Sequence, residues 1–191
     1  MAKKSEPQIY LLKISLIDTE IWRRFLVKSD VLLPELHQII QTVMGWTNSH
    51  LNQFIIDGRF YGIPDEFGEL ETVNYRKIKL NKVISGKGNK FIYEYDFGDG
   101  WEHEIEVEKV IPAEKGKYYP VCLEGEKACP PEDCGSTPGY EEILKALKDK
   151  KNPEYEELLE WVGDDYDPEY FNVEEINEDL KEEDYGCITL Y

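Results

Sequence analysis

The amino-acid sequence predicts an α+β protein whose sheet is largely antiparallel, and three observations carry that expectation. Apolar residues in the first two thirds of the chain recur with period two, in short segments joined by hairpin-length breaks. One helical-period segment follows the first hairpin, and helical spacing returns only after residue 138. Strands come first and helices last, without the strand–helix–strand rhythm of parallel sheets, so hairpins are expected to build the sheet, in meander order. The 191 residues are expected to form one domain, with a sheet-rich body over 1–138 and an acidic helical part over 139–191 packed on it.

Tyr10, Leu12, Ile14 and Leu16 share one face of a first strand, Asp18-Thr19-Glu20 breaks it, and Ile21, Phe25 and Val27 continue on a second. Pro34 suits a first helical turn, and Leu33, Leu36, Ile40, Val43 and Met44 then recur at helical spacing up to Gly45. Leu51–Ile56 and Arg59–Ile63 flank Asp57-Gly58, a favoured two-residue hairpin turn. Residues 64–89 read as loops around one short strand at Lys77–Ile84. Phe91, Tyr93, Tyr95 and Phe97 are expected on one face, followed by a Gly98-Asp99-Gly100 turn held by the Asp99 side chain. Trp101, His103, Ile105 and Val107 then face the core, opposite Glu102, Glu104, Glu106 and Glu108. A loop at roughly 120–138 leads to helices at 139–149, 153–162 and 172–183, which are expected to pack through Leu158, Leu159, Trp161, Phe171, Ile176 and Leu180.

Forty acidic residues face twenty-two basic ones, for a net charge of -18, and residues 151–191 hold 15 of the acids and 2 of the bases. Phosphate neutralisation needs clustered Lys and Arg, and Arg23-Arg24, the candidate patch, is too small, so direct nucleic-acid binding is not expected. The apolar run Ile9–Ile17 is broken by Lys13 and Ser15 and falls short of the ~20 residues of a membrane span. With no cleavable leader pattern either, a cytoplasmic location is expected.

Four stretches carry a family resemblance. They are Ile21-Trp22-Arg23-Arg24 with Val27; Leu36-His37 through Gly45-Trp46 to His50-Leu51 and Phe54; Tyr95-Asp96-Phe97-Gly98-Asp99-Gly100-Trp101-Glu102-His103; and Cys122-Leu123-Glu124-Gly125 through Cys129-Pro130-Pro131-Glu132-Asp133-Cys134-Gly135 to Gly139-Tyr140. Over about Gln8 to Leu180 the sequence resembles the plasmid pRiA4b ORF-3-like family, whose members also occur as passenger genes of insertion elements. The resemblance implies an α+β fold and an association with mobile elements, and it implies no activity or cofactor. A resolvase-like label borne by some members does not transfer, because serine-recombinase chemistry needs several phosphate-binding arginines and this chain has only Arg23, Arg24, Arg59 and Arg76. Gly135-Ser136 stands where members often have two glycines, a difference confined to a turn.

The candidate functional cluster is His37, His50, Asp96, Asp99 and His103, since all five lie in those stretches and would form a metal or acid–base site if the fold brings them together. The candidate metal set is Cys122, Cys129, Cys134 and His103, which could close a zinc site, although the cysteine spacings fit no usual knuckle and reduced structural thiols are expected. Cys134, just ahead of a helix start, is placed for a lowered thiol pKa. Asp96-Phe97-Gly98 lacks the other kinase motifs, and no calcium loop fits around Asp165. The function expected is a non-enzymatic binding or accessory module with protein partners and no cofactor. The alternative is a metal-dependent module or enzyme using the His/Asp/Cys set, with an acidic DNA mimic as a minor third.

Overall fold

The structure, a computed structural model, describes residues 8–64, 71–163 and 165–187. The first hairpin pairs β1 (Gln8–Leu16) with β2 (Trp22–Lys28), from Ile9 opposite Lys28 to Ser15 opposite Trp22. Helix α1 (Leu33–Met44) starts where the Glu35 carboxylate accepts the Leu32 N–H and stops at Gly45, whose φ of 99° few other residues adopt. The second hairpin, β3 (Asn52–Ile56) and β4 (Arg59–Gly62), turns through Asp57 and Gly58 at positive φ, as their sequence predicts. The third joins β6 (Lys90–Tyr95) to β7 (Trp101–Pro112).

Four details of the sheet region differ from the sequence reading. Lys77–Ile84 is no strand: β5 is Thr72–Asn74, followed by a 3-10 turn at Tyr75–Lys77 and the short helix α2 (Leu80–Val83). Residues 65–70 of the expected loop lie outside the described residues. The stretch expected as loop holds β8 (Val121–Glu126), paired with β2. Phe97 leaves the apolar row, because Asp96 adopts a φ of 55° and turns the chain, which exposes the ring.

The fourth detail is strand order, which runs β5-β4-β3-β6-β7-β1-β2-β8, antiparallel throughout except β4 with β5. Each hairpin pairs locally, but β1 is inserted between β2 and β7, with Tyr10 opposite Val110 and Leu16 opposite His103, so the sheet is not a meander. Short connections reveal neighbours within a hairpin and say nothing about how hairpins join.

The core lies on one face of this sheet. Tyr10, Leu12, Ile14, Phe25, Phe54, Tyr93, Trp101 and Ile105 pack there against the buried stripe of α1. Helices α3 (Ser136–Lys148), α4 (Tyr155–Val162) and α5 (Val173–Asp179) join the same cluster through Tyr140, Ile143, Leu158, Phe171, Ile176 and a fully buried Leu180. Trp161, expected to pack, is instead 48% exposed. The other face holds a small cluster of Ile9, Leu11, Leu26 and Tyr119, with Ile111, Ala113 and Val121 against it, beside a polar row in which Arg24 pairs with Glu108 and Glu124.

Candidate functional site

Residues 46–50 link α1 to β3, and a closed polar ring ties them down. The Gln41 Nε2 donates to Tyr93 Oη at 2.8 Å, Tyr93 Oη lies 2.8 Å from His37 Nδ1, His37 Nε2 lies 2.9 Å from Asn48 Oδ1, and the Asn48 N–H returns to Gln41 Oε1 at 2.8 Å. Since Tyr93 has one proton to give, it donates to Nδ1, which leaves the His37 proton on Nε2 for Asn48. Burial lowers the His37 pKa to about 4, only partly opposed by the Asn48 hydrogen bond. His37 is therefore a neutral imidazole with both nitrogens committed.

His103 has a similar role on the neighbouring strand. Trp46 Nε1 donates to its Nε2 at 3.4 Å, so Nδ1 carries the proton, shared between the carbonyls of Tyr93 at 3.2 Å and Trp101 at 3.1 Å. Complete burial lowers its pKa to about 4. It fixes Trp46, whose ring also packs on Tyr95 and Trp101.

His50 follows this anchored loop, and here carboxylates converge. Its Nε2 lies 3.2 Å from Asp133 Oδ1, 3.7 Å from Asp96 Oδ2 and 3.8 Å from Glu132 Oε2. Asp96 is buried at the end of β6, where its Oδ1 accepts the Gly98 N–H at 2.9 Å, leaving Oδ2 toward the histidine. Glu132 Oε1 accepts from Thr47 N–H at 2.8 Å, Thr47 Oγ1 at 2.9 Å and Tyr95 Oη at 3.1 Å. The Tyr95 pKa is raised by burial and by that carboxylate. Neither His50 Nε2 nor Glu132 Oε2, both buried atoms, has a hydrogen-bond partner among the described residues. His50, Asp96 and Asp133 form the one group of three or more possible metal ligands among the described residues with all ligand atoms within 4.8 Å of one another.

A cleft of about 570 Å³ opens beside His50. Asn48, Ser49, Asn52 and Gln38 line it with hydrogen-bonding groups, Leu51 and Ile63 with exposed apolar surface, and Arg76 stands at its wall.

The model of the family described as "Plasmid pRiA4b ORF-3-like protein" matches residues 8–175. The chain belongs to this family. Among relatives of this ORF-3-like chain is the "Uncharacterized protein y4hQ" of Sinorhizobium fredii, 42% identical over 141 residues, which are 72% of each chain. A solved structure, titled as the protein of unknown function MM3350 from Methanosarcina mazei Go1, is 36% identical, with a TM-score of 0.80 over 90% of this chain and 98% of that one. No helix among the described residues of this ORF-3-like chain is long and apolar enough to cross a membrane.

Of the five candidate residues, the fold brings His50 and Asp96 together and leaves the others apart. Asp99 reaches away from its own turn, its Oδ2 accepting the Gly135 N–H at 3.0 Å, and it is Asp96 that holds the turn backbone. The candidate zinc set does not gather: Cys122, Cys129, Cys134 and His103 form no group of close ligand atoms among the described residues. All three thiols are free and buried. Burial pushes Cys122 up to about 11 and Cys134 up to about 12, the latter helped by Asp99 and Asp133, so the lowered Cys134 pKa expected from its helix start is overturned by desolvation and acidic neighbours. Sequence reasoning missed Glu132 and Asp133 as site residues. Both lie between Cys129 and Cys134, where the thiols drew the chemistry and the carboxylates were the signal.

Proposed function

We propose that the protein is a non-enzymatic binding module that takes a small organic anion in the cleft beside His50. The observation that carries this is the lining: side-chain amides and the neutral His37, apolar flanks at Pro34, Leu51 and Ile63, and Arg76, whose guanidinium makes no ion pair among the described residues. The cleft volume of about 570 Å³ falls in the range of small-molecule sites. A chain of net charge -18 repels anions at long range, so recognition has to come at contact, from Arg76 and the polar side chains of the lining.

Thermal-shift and ligand-observed NMR titrations with small carboxylates, phosphorylated compounds and their neutral isosteres test this. Saturable binding of anions alone, weakened at least tenfold in Arg76→Gln, is the expected result. Equal binding by that variant, or no saturable anion binding, overturns it. A second reading, a basic protein partner, is favoured by one observation: Trp161 and Tyr170 are 48% and 50% exposed within the most acidic part of the chain. An accessory role beside mobile elements accords with the family's setting and rests on it alone.

A further inference from the structure

We propose that His50, Asp96 and Asp133 bind one divalent transition-metal cation, with Glu132 facing it. Two ligands that each stand about 2.1 Å from an ion are about 3.0 Å apart in octahedral and about 3.4 Å apart in tetrahedral coordination. The Nε2 of His50 is 3.2 Å from Asp133 Oδ1 and 3.7 Å from Asp96 Oδ2, close to those edges with no ion to draw the groups in.

Two further features point to a ligand. The Asp96 side chain is 8% exposed and spends Oδ1 on the Gly98 N–H, so its second oxygen is held rigidly toward His50. The Glu132 carboxylate is anchored by three donors on Oε1, while its buried Oε2 has no hydrogen bond and faces the same nitrogen at 3.8 Å. Three carboxylates thus surround one imidazole, and His50 is the only basic side chain within ion-pair distance of any of them among the described residues. The Nε2 of His50 makes no hydrogen bond to any of them. A divalent cation satisfies the imidazole lone pair and the carboxylates together.

The donor set selects the class. One imidazole nitrogen with carboxylate oxygens suits zinc or manganese, and the absence of thiolates from the group removes the preference for soft ions. Three protein ligands leave coordination positions open, and Glu132 Oε2 is set to accept a hydrogen bond from water on the ion. Because His50 lines both the cation site and the cleft, an anion bound there could fill an open position. That last step rests on the cleft reading, and the cation site does not.

Chelator-treated full-length protein titrated with Zn²⁺ or Mn²⁺ alone, by calorimetry, is expected to bind one equivalent. Mn²⁺ is expected to broaden the Gly98 amide resonance ahead of those of the C-terminal helices. Asp133→Asn keeps a residue that tolerates the φ of 56° at an exposed position, so its folding is not in question, and it should weaken binding at least tenfold, as should His50→Gln. Absence of saturable binding overturns the proposal, as does a stoichiometric site that both variants keep, which would place the ion elsewhere on this acidic chain. Arg76→Gln should leave metal affinity unchanged. Cation binding without anion binding, or the reverse, therefore tells failure of one reading from failure of the other.

Discussion

Arg23 occupies a position where the alternation of Ile21, Phe25 and Val27 calls for an apolar side chain, and it is 2% exposed. Its guanidinium donates to four backbone carbonyls, of Val43 at 2.8 Å, Trp22 at 2.8 Å, Glu126 at 2.6 Å and Lys127 at 2.6 Å, and lies over the Phe171 ring. In the sequence it is half of a basic pair; in the fold it is a clamp joining β2, the end of α1 and the end of β8. Gly125 permits this approach, since a Cβ there would stand 2.6 Å from the Arg23 Cδ. Arg23→Met is expected to cost about 3 kcal/mol or more in urea denaturation, because it strands buried acceptors, and Arg23→Lys should recover little, having no planar fork. The neutral imidazoles of His37 and His103 give a pH dependence of definite sign. Their folded pKa values, about 4, lie below the ordinary 6.5, so the unfolded chain binds their protons first. Their stabilising effect is complete above about pH 6.5 and is lost progressively as the pH falls toward 4, at up to about 1.4 kcal/mol per unit for each ring. Denaturation midpoints should fall across that window, and the ring resonances of both histidines should stay flat from pH 8 to 5.

At the scale of elements, alternation made most of the sheet legible, since one buried face forces period two on β1, β6 and β7 and helical spacing on α1. β8 escaped because it is an edge strand whose only fully buried side chain is Cys122, set among Gly, Pro and charged residues that read as loop. Its open edge is closed by a side chain: Asn177 of α5 accepts the Cys122 N–H and donates to the Cys122 carbonyl, both at 2.8 Å, in place of a ninth strand. Asn177→Ala is expected to destabilise the fold by about 1–2 kcal/mol and to speed hydrogen exchange at Cys122 before the central strands. Unchanged exchange there would show that α5 is only laid against the sheet. Asp96 escaped for a different reason. A non-glycine residue at positive φ is not readable from apolar periodicity, and that one dihedral angle moved Phe97 outward and aimed a carboxylate at His50.

At the scale of the molecule, the candidate site was legible only in its ingredients. His50 and Asp96 stand in recognisable stretches, but their meeting with Glu132 and Asp133 depends on β3 pairing with β6 and on the loop before α3 folding over that end of the pair, and both are products of long-range topology. The acidic end is bound into the same body. Leu180 is fully buried, Phe171, Val173 and Ile176 pack on the core, and Tyr166 reaches the Cys129 carbonyl. With about 1.5–3 kcal/mol for each fully buried side chain, against a total stability of about 5–15 kcal/mol, the body should not survive loss of this segment. Truncation after Lys150 is expected to give insoluble or non-cooperatively unfolding protein, and a soluble product with a sharp thermal transition would show the acidic end to be separable.

The insertion of β1 between β2 and β7 also sets a timetable. During synthesis the first hairpin leaves the ribosome complete, yet the strand that must cover the far edge of β1 begins only at Trp101. At translation rates of about 5–20 residues per second, that edge waits on the order of 5–20 s with its outward backbone N–H and C=O groups unpaired. Nascent chains stalled before Trp101 should therefore be held by chaperones, and those extended past Pro112 released.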